Sequence, residues 1–318
     1  MKNTSVIHLY NTSPYLAKKT ISNNMTILVV HKQKDTIYIA SDSRYSLKGA
    51  YTDSGPKIFK MSTRIYGPNS QGRAPDKAPV LYNGSIGLAF AGDTSFFLSL
   101  KGRLEWVLEY IQIAKTDMPY SEIIKDVVFT IYKNLINEAC VMHDADVILL
   151  LNNSNSNAPQ AYYMKASPNE NLKKTDISIT EISDEYTFGG SGTDSAEVLF
   201  TTLQATNNMP HNVFLFTKKV ISTYTSRAIS HNDDSDVGGD LQAGRLDKNG
   251  FEVLGIQDFR ESDVFGEFFK YCFGGMTMHD DLSLPHGINV KRSFLKIYNE
   301  NDIKEKIEEN IKNRYTTR

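Results

Sequence analysis

The chain has 318 residues with a formal net charge of −2, and 40% of the residues are apolar while 23% are charged. This composition is typical of a globular protein, and a chain of about 300 residues buries enough surface to fold without disulfides or metals. The near-neutral charge gives no general attraction to nucleic acid or to an anionic membrane, and no apolar run reaches the ~18 residues of a membrane helix.

The first third of the chain is predicted to hold strands and one long insertion. Residues 1–25 lack the continuous apolar core and small-residue cleavage site of a secretory signal, so we expect a leader, propeptide or flexible arm. Residues 62–79 carry three prolines and two glycines, which predicts a loop insertion. Short β-branched or aromatic runs predict four strands, at 27–30, 36–40, 56–61 and 85–91.

Two helices with capping residues are predicted next. Asp93 precedes apolar residues at helical spacing from Phe97 to Ile111, and Ser121 precedes a similar pattern that ends at Ile136. Short oxygen-bearing side chains at such positions accept hydrogen bonds from the first free N–H groups of a helix. Both residues are therefore predicted N-caps.

The second half of the chain repeats the order of strands followed by two helices. A third helix is predicted at 193–205, and a fourth is predicted to start at Pro210 because proline is favoured in the first turn. A charged helix is expected at 302–312, near the end of the chain. Alternating or apolar runs predict strands at 146–151, 161–164 and 177–182 and a hairpin from 241–246 and 251–256.

This order of elements predicts an α+β fold with two sheets between two helical layers, that is, a four-layer αββα sandwich. Cys140 and Cys272 stand in no CxxC pattern, which favours a reducing cytoplasmic setting. The acidic and histidine-rich stretches at 231–234 and 278–287 lack the spacing of a metal site. No metal and no organic cofactor is predicted.

Several short segments occur in the order and spacing of one known family. They are IASDSR at 39–44, GPKIFKM at 55–61, FAGD at 90–93, FGGSG at 188–192 and DDSDVGGDLQ at 233–242. The chain resembles the proteasome β-subunits and the bacterial ATP-dependent peptidases, which are N-terminal-nucleophile (Ntn) hydrolases. The resemblance implies a leader at 1–25, an Ntn-hydrolase domain at 26–257 and a C-terminal extension at 258–318.

The resemblance also implies a role for each of eight residues. Thr26 is the implied nucleophile, sixteen positions before the signature carboxylate Asp42. The others are Lys57 as the catalytic lysine, Gly92 as the oxyanion glycine, Ser191 as the serine beside the threonine amine, Asp234 as a second carboxylate, and Phe90 and Tyr45 as the floor and wall of a substrate pocket.

Such a site would carry out amide hydrolysis through an acyl-enzyme. A threonine hydroxyl needs a base at neutral pH, and a free α-amino group, with a pKa of about 7.7–8.0, can be that base when the threonine is the N-terminus. Thr26 follows Met25, so we expect the leader to be removed, or translation to start at Met25 with loss of that methionine. The implied partners are a peptide or protein substrate, further copies of the chain in a ring, and an ATPase unfoldase.

Departures from the family pattern leave alternatives open. Glycine usually precedes the nucleophile, whereas this chain has Met25, and Val237 stands where a serine is expected. If the turn at residues 31–35 is taken to hold one extra residue, Met25 rather than Thr26 aligns with the nucleophile. The chain would then be an inactive homologue. An inactive structural subunit that keeps its N-terminal arm, and a transpeptidase or small-amide hydrolase on the same fold, are the alternatives.

Overall fold

A computed structural model describes residues 26–47, 50–53, 55–68, 78–114, 117–139, 141–231, 237–259, 269–273, 276–278 and 294–296. In these ranges the protein is a mixed α+β structure with four helices: α1 (Thr94–Leu108), α2 (Tyr120–Glu138), α3 (Thr193–Ala205) and α4 (Val213–His231). None of the helices within these ranges is long and apolar enough to cross a membrane.

The described residues also form sixteen strands. They are β1 (Leu28–Lys32), β2 (Ile37–Ser41), β3 (Tyr45–Leu47), β4 (Ala50–Thr52), β5 (Ile58–Tyr66), β6 (Val80–Gly92), β7 (Ile111–Gln112), β8 (Ala145–Asn152), β9 (Pro159–Asn169), β10 (Lys174–Glu181), β11 (Tyr186–Gly189), β12 (Gln242–Asp247), β13 (Gly250–Phe259), β14 (Phe269–Phe273), β15 (Met276–Met278) and β16 (Phe294–Lys296).

The strands form two main sheets and one small hairpin. The first sheet has the order β11-β1-β2-β12-β13-β14-β15, with β16 also pairing with β13, and the second has the order β10-β9-β8-β6-β5-β7. Strands β3 and β4 form a separate two-stranded unit. Strands β14 to β16 come from the expected C-terminal extension. In the first sheet β14 and β16 pair with β13, and β15 pairs with β14.

Three groups of buried apolar side chains hold the layers together. The first packs α1 and α2 against the second sheet, and the second packs α3 and α4 against the first sheet. The third joins the two sheets to each other, with Leu28, Ile39, Ile148 and Phe251 among its members. Successive side chains of a strand point to opposite faces. In β1, Leu28 therefore faces the second sheet, and Val29 faces α3 and α4.

The first helix begins as its sequence predicts, and two others do not. Asp93 caps α1, since its carboxylate accepts hydrogen bonds from the N–H groups of Ser95 and Phe96. The prediction for Ser121 is wrong: α2 starts at Tyr120, and the Ser121 N–H is bound by the hydroxyl of Ser154, 33 residues further on.

The expected start of α4 at Pro210 is also wrong. The helix starts at Val213, and the side chain of Asn212 accepts a hydrogen bond from the Leu215 N–H.

The expected insertion at 62–79 is narrower than predicted, because β5 continues to Tyr66 with Thr63 and Ile65 buried. The charged helix expected at 302–312 and the histidine-rich stretch at 278–287 lie outside the described residues.

Candidate active site

Thr26 lies two residues before β1, beside the turn that follows β11. Its backbone N–H donates to Ser191 Oγ at 3.1 Å, and its carbonyl oxygen accepts from the Gly192 N–H at 3.2 Å. Only 3% of Thr26 is exposed. Two residues of the turn, Ser191 and Gly192, thus fix the backbone of the residue that the sequence indicates as a nucleophile.

Asp42 and Lys57 meet at the Thr26 side chain. Asp42 directly follows β2, which pairs with β1, and Lys57 directly precedes β5 of the other sheet. Lys57 Nζ donates to Thr26 Oγ1 at 2.7 Å and to Asp42 Oδ1 at 2.9 Å. The two sheets therefore bring a hydroxyl, an ammonium and a carboxylate into one hydrogen-bonded row.

Backbone donors complete the surroundings of Asp42. Besides Lys57, its carboxylate accepts hydrogen bonds from the N–H groups of Ile27, Arg44 and Gly238, at 3.1–3.3 Å. Such a set of donors suits an ionised carboxylate, because each N–H replaces hydration lost on burial. Gly238 comes from the GG pair that anchors the last segment of the sequence motif.

Burial draws the pKa values of the two charged groups toward each other. Desolvation is the largest effect on both, and it lowers the pKa of Lys57 and raises the pKa of Asp42. The attraction between the two charges opposes both changes. A lysine with a lowered pKa is suited to exchanging a proton with the hydroxyl that it touches.

The structure adds Gln242, which the sequence analysis missed. Its side chain is buried, accepts from the Lys57 N–H at 2.8 Å and donates to the carbonyl oxygens of Asp42 and Gly55 at 2.9 and 2.8 Å. It therefore holds the backbones of both charged residues. The signal that could have found it is its place as the last residue of the DDSDVGGDLQ segment, where it opens strand β12.

Gly92 ends β6 in a conformation that suits glycine. Its φ is +93°, and a Cβ placed there would lie 2.3 Å from the carbonyl oxygen of Asp144. Gly92 lines a cavity of about 170 Å³ that Ser191 also lines. Five of the six residues implied for catalysis are thus described, and Lys57 directly contacts both Thr26 and Asp42.

The sixth, Asp234, lies outside the described residues. The two residues implied for substrate binding are adjacent to each other. The ring centroids of Tyr45 and Phe90 lie 6.0 Å apart, and that of Tyr45 lies 5.8 Å from Lys57 Nζ. The Phe90 ring stacks on the Phe97 ring, with 3.8 Å between their centroids. Burial, and then the charge on Asp42, raise the pKa of Tyr45. Tyr45 therefore lies on the Lys57 side of Thr26, whereas Phe90 is packed in the core and only 1% exposed.

Comparisons with known proteins add little at the level of sequence. No protein-family model matches the chain, and a search of curated proteins finds no match. Among solved structures the chain is similar to Anbu (Gly-1) mutant from Hyphomicrobium sp. strain MC1, with 12% identity and a TM-score of 0.46 over 72% of this chain and 84% of that one. The chemistry of this chain has to be argued from its own residues.

Proposed function

We propose that this protein is a threonine-type Ntn hydrolase that cleaves amide bonds, with Thr26 as its nucleophile. The observation that carries the proposal is the buried row in which Lys57 Nζ lies 2.7 Å from Thr26 Oγ1 and 2.9 Å from Asp42 Oδ1. A lysine fully withdrawn from water and bound to both a hydroxyl and a carboxylate is unfavourable for stability alone. It is the arrangement that lowers the energy of a developing alkoxide.

The proposal extends to the fold. Three apolar clusters in the order helices–sheet, sheet–sheet and sheet–helices support a four-layer αββα sandwich of the Ntn type. In that arrangement the nucleophile sits at the start of a central strand, between the two sheets. Thr26 lies two residues before β1, which supports this assignment.

The reaction requires the Met25–Thr26 peptide bond to be cut. In the uncut chain the nitrogen of Thr26 is an amide, which donates to Ser191 and has no basic lone pair. Cleavage turns it into an amine of pKa near 7.7–8.0, which is partly neutral at cytoplasmic pH. Ser191 already holds that nitrogen in place.

Residues of the chain act in each step of acylation and deacylation. The amine takes the proton of the Thr26 hydroxyl as the oxygen attacks the substrate carbonyl, and the N–H of Gly92 stabilises the resulting oxyanion. Collapse breaks the C–N bond, passes the proton to the leaving amine and leaves an ester on Thr26. Water, deprotonated by the same amine, hydrolyses the ester and restores the hydroxyl.

The proposed substrates are peptides or small amides with an apolar side chain on the acyl side. Tyr45 supplies an aromatic ring beside Lys57, and the buried ring of Phe90 packs next to it. The reaction uses only side chains and backbone of the chain itself. By resemblance alone, we also propose a cytoplasmic homo-oligomeric ring and an ATPase that delivers unfolded protein to it.

A panel of fluorogenic peptide amides tests this proposal on mature protein purified from its host. We expect hydrolysis that is lost in Thr26→Ala and partly retained in Thr26→Ser, with Thr202→Ala on the exposed face of α3 as the matched control. Added amine nucleophiles distinguish transpeptidation, which would yield a new amide, from hydrolysis. Unchanged turnover in Thr26→Ala would contradict the proposal.

A second candidate is a catalytically inactive structural subunit that keeps residues 1–25. The observation that favours it is the burial of Thr26, 3% exposed, with its nitrogen engaged as an amide in the uncut chain. In that case purified protein retains the Met25–Thr26 bond and forms an assembly without turning over any amide.

A further inference from the structure

The turn that binds Thr26 is itself held by a buried carboxylate from the other sheet. Gly190, in the middle of that turn, has a φ of +82°, and a Cβ placed there would lie 2.2 Å from the Thr26 carbonyl oxygen. The Gly190 N–H donates to Asp146 Oδ2 at 2.7 Å. Asp146 is 91% buried and belongs to β8, whereas the turn follows β11 in the first sheet.

The same end of β8 also supports the other turn of the site. Ala145 pairs with Gly92, and the carbonyl oxygen of Asp144 accepts a hydrogen bond from the Asp93 N–H at 2.8 Å. Residues 144–146 therefore brace both the proposed oxyanion donor, Gly92, and the turn that holds the proposed base. A shift of this short segment would move the two relative to each other.

The hydrogen bond to Gly190 uses only one of the two carboxylate oxygens of Asp146. Its second oxygen, Oδ1, is buried and has no hydrogen-bond partner among the described residues. Burial first, and then the charge on Asp146, raise the pKa values of Tyr132 and Tyr163, and a hydrogen bond to the Asp146 carboxylate adds to the increase for Tyr163. A neutral asparagine could accept from Gly190 without burying a charge, which is costly when half of the group is unpaired.

We infer that Asp146 is a positioning residue for the Thr26 amine, acting through the 189–192 turn. Its Oδ2 fixes the turn that places the amine, and its negative charge favours the ammonium that forms when the amine takes the proton of the hydroxyl. The inference rests on the proposed function, because it assumes a free amine at Thr26. Asp146 does not touch substrate, so its effect is indirect.

Two variants separate the hydrogen bond from the charge. In mature protein, Asp146→Ala removes both, and we expect covalent labelling of Thr26 by an electrophilic peptide to slow by about 10²-fold, as displaced reactive groups typically do. Asp146→Asn keeps an acceptor for Gly190 and is expected to restore most of the rate at alkaline pH. Asp35→Asn, in the exposed turn between β1 and β2, is the matched control.

The pH profile gives a readout that a merely structural role would not move. Without the negative charge the amine has a lower pKa, so in Asp146→Asn the acid limb of the labelling rate should shift to lower pH. The other titratable groups that face the site stay unchanged in these variants: Asp42, Lys57, Tyr132, Asp144, Tyr163 and Lys165. An unshifted acid limb would overturn the electrostatic part of the inference.

A crystal structure of Asp146→Ala tests the positioning role independently of activity. We expect the fold to be retained and Ser191 Oγ to move beyond hydrogen-bond distance of the Thr26 nitrogen. An unmoved turn would overturn the inference, and so would wild-type labelling rates in this variant. If the wild-type protein is not labelled at Thr26, the proposed function fails, and the position of the turn in the variant still decides the positioning role.

Discussion

At the scale of single residues, the chemistry is concentrated in the contact of Lys57 Nζ with Thr26 Oγ1 and Asp42. Lys57 and Asp42 come from different sheets and both are fully buried. Removing an ion pair from water costs several kcal/mol per charge. Here three backbone N–H groups on Asp42 and the Thr26 hydroxyl on Lys57 offset part of that cost.

The strength of this pair can be measured by a double-mutant cycle. Lys57→Met leaves Asp42 as an unpaired buried charge and should lower the free energy of unfolding by about 3–5 kcal/mol. Adding Asp42→Asn removes that charge, so the double variant should be more stable than the sum of the single effects allows. Urea unfolding of the four proteins gives the coupling. A loss near 0.5 kcal/mol in Lys57→Met, typical of a surface substitution, would contradict this account.

Sequence reasoning reached Asp42 and Lys57 because short motifs surround them. It did not reach Gln242 or Asp146, for a physical reason. Asp146 is a polar residue in a mostly apolar strand, Gln242 is one of several polar residues of β12, and the partners of both lie 44–200 residues away in the chain. Only the packing of the two sheets shows that these side chains meet Lys57 and Gly190. In the sequence, Asp146 is simply a polar residue near the start of a buried strand, and nothing beside it indicates a partner.

At the scale of elements, the turn from β6 into α1 links a helix cap to the site. Asp93 follows Gly92, caps α1 and lies 2.7 Å from His143 Nδ1 through its other oxygen. Burial alone would raise the pKa of Asp93, but hydrogen bonds from Ser95, the Phe96 N–H and His143 together lower it. The cap was predictable because its hydrogen bonds are local, within three residues.

The lowered pKa of Asp93 makes stability depend on acid pH. Because the carboxylate binds its proton less readily in the folded chain, its stabilising contribution is complete above the unfolded pKa of about 3.9. It is lost as the pH falls through the lower folded value. Asp93→Asn should therefore flatten the decline of unfolding free energy below about pH 4, measured by urea titration across pH.

Asp35→Asn, in the exposed turn between β1 and β2, is the control for that measurement. If the free energy of unfolding falls equally steeply with acid in Asp93→Asn and in wild type, the lowered pKa of Asp93 is contradicted.

The starts of α2 and α4 show where prediction of helix caps from neighbouring residues fails. A distant hydroxyl, Ser154, satisfies the first turn of α2, and no spacing rule near Ser121 indicates it.

At the scale of the whole molecule, the position of the site depends on how the two sheets pack. Phe251 of β13 is fully buried between them, against Gly87 of β6 and Gly244 of β12. A Cβ on either glycine would lie 2.4–2.5 Å from its ring. The ring therefore fills space that these glycines leave open, and it sets the distance between the sheets. The α+β order was predictable from the alternation of elements, whereas this spacing was not.

Phe251→Ala should destabilise the protein by about 3–5 kcal/mol, since it leaves a cavity between the sheets. Trp106→Ala is the matched aromatic control, because 77% of Trp106 is exposed on α1. The difference between the two in chemical denaturation measures the contribution of sheet packing. Equal effects of the two substitutions would mean that the sheets are not held by this contact.

The central claim is that Thr26 becomes a free N-terminal nucleophile. Its most direct test is intact-mass and N-terminal sequence analysis of protein isolated from its host, before and after treatment with an electrophilic peptide. The account predicts a chain that begins at Thr26 and gains one probe on that residue. A mature chain that keeps the Met25–Thr26 bond would contradict it, since Thr26 would then have no amine to act as its base.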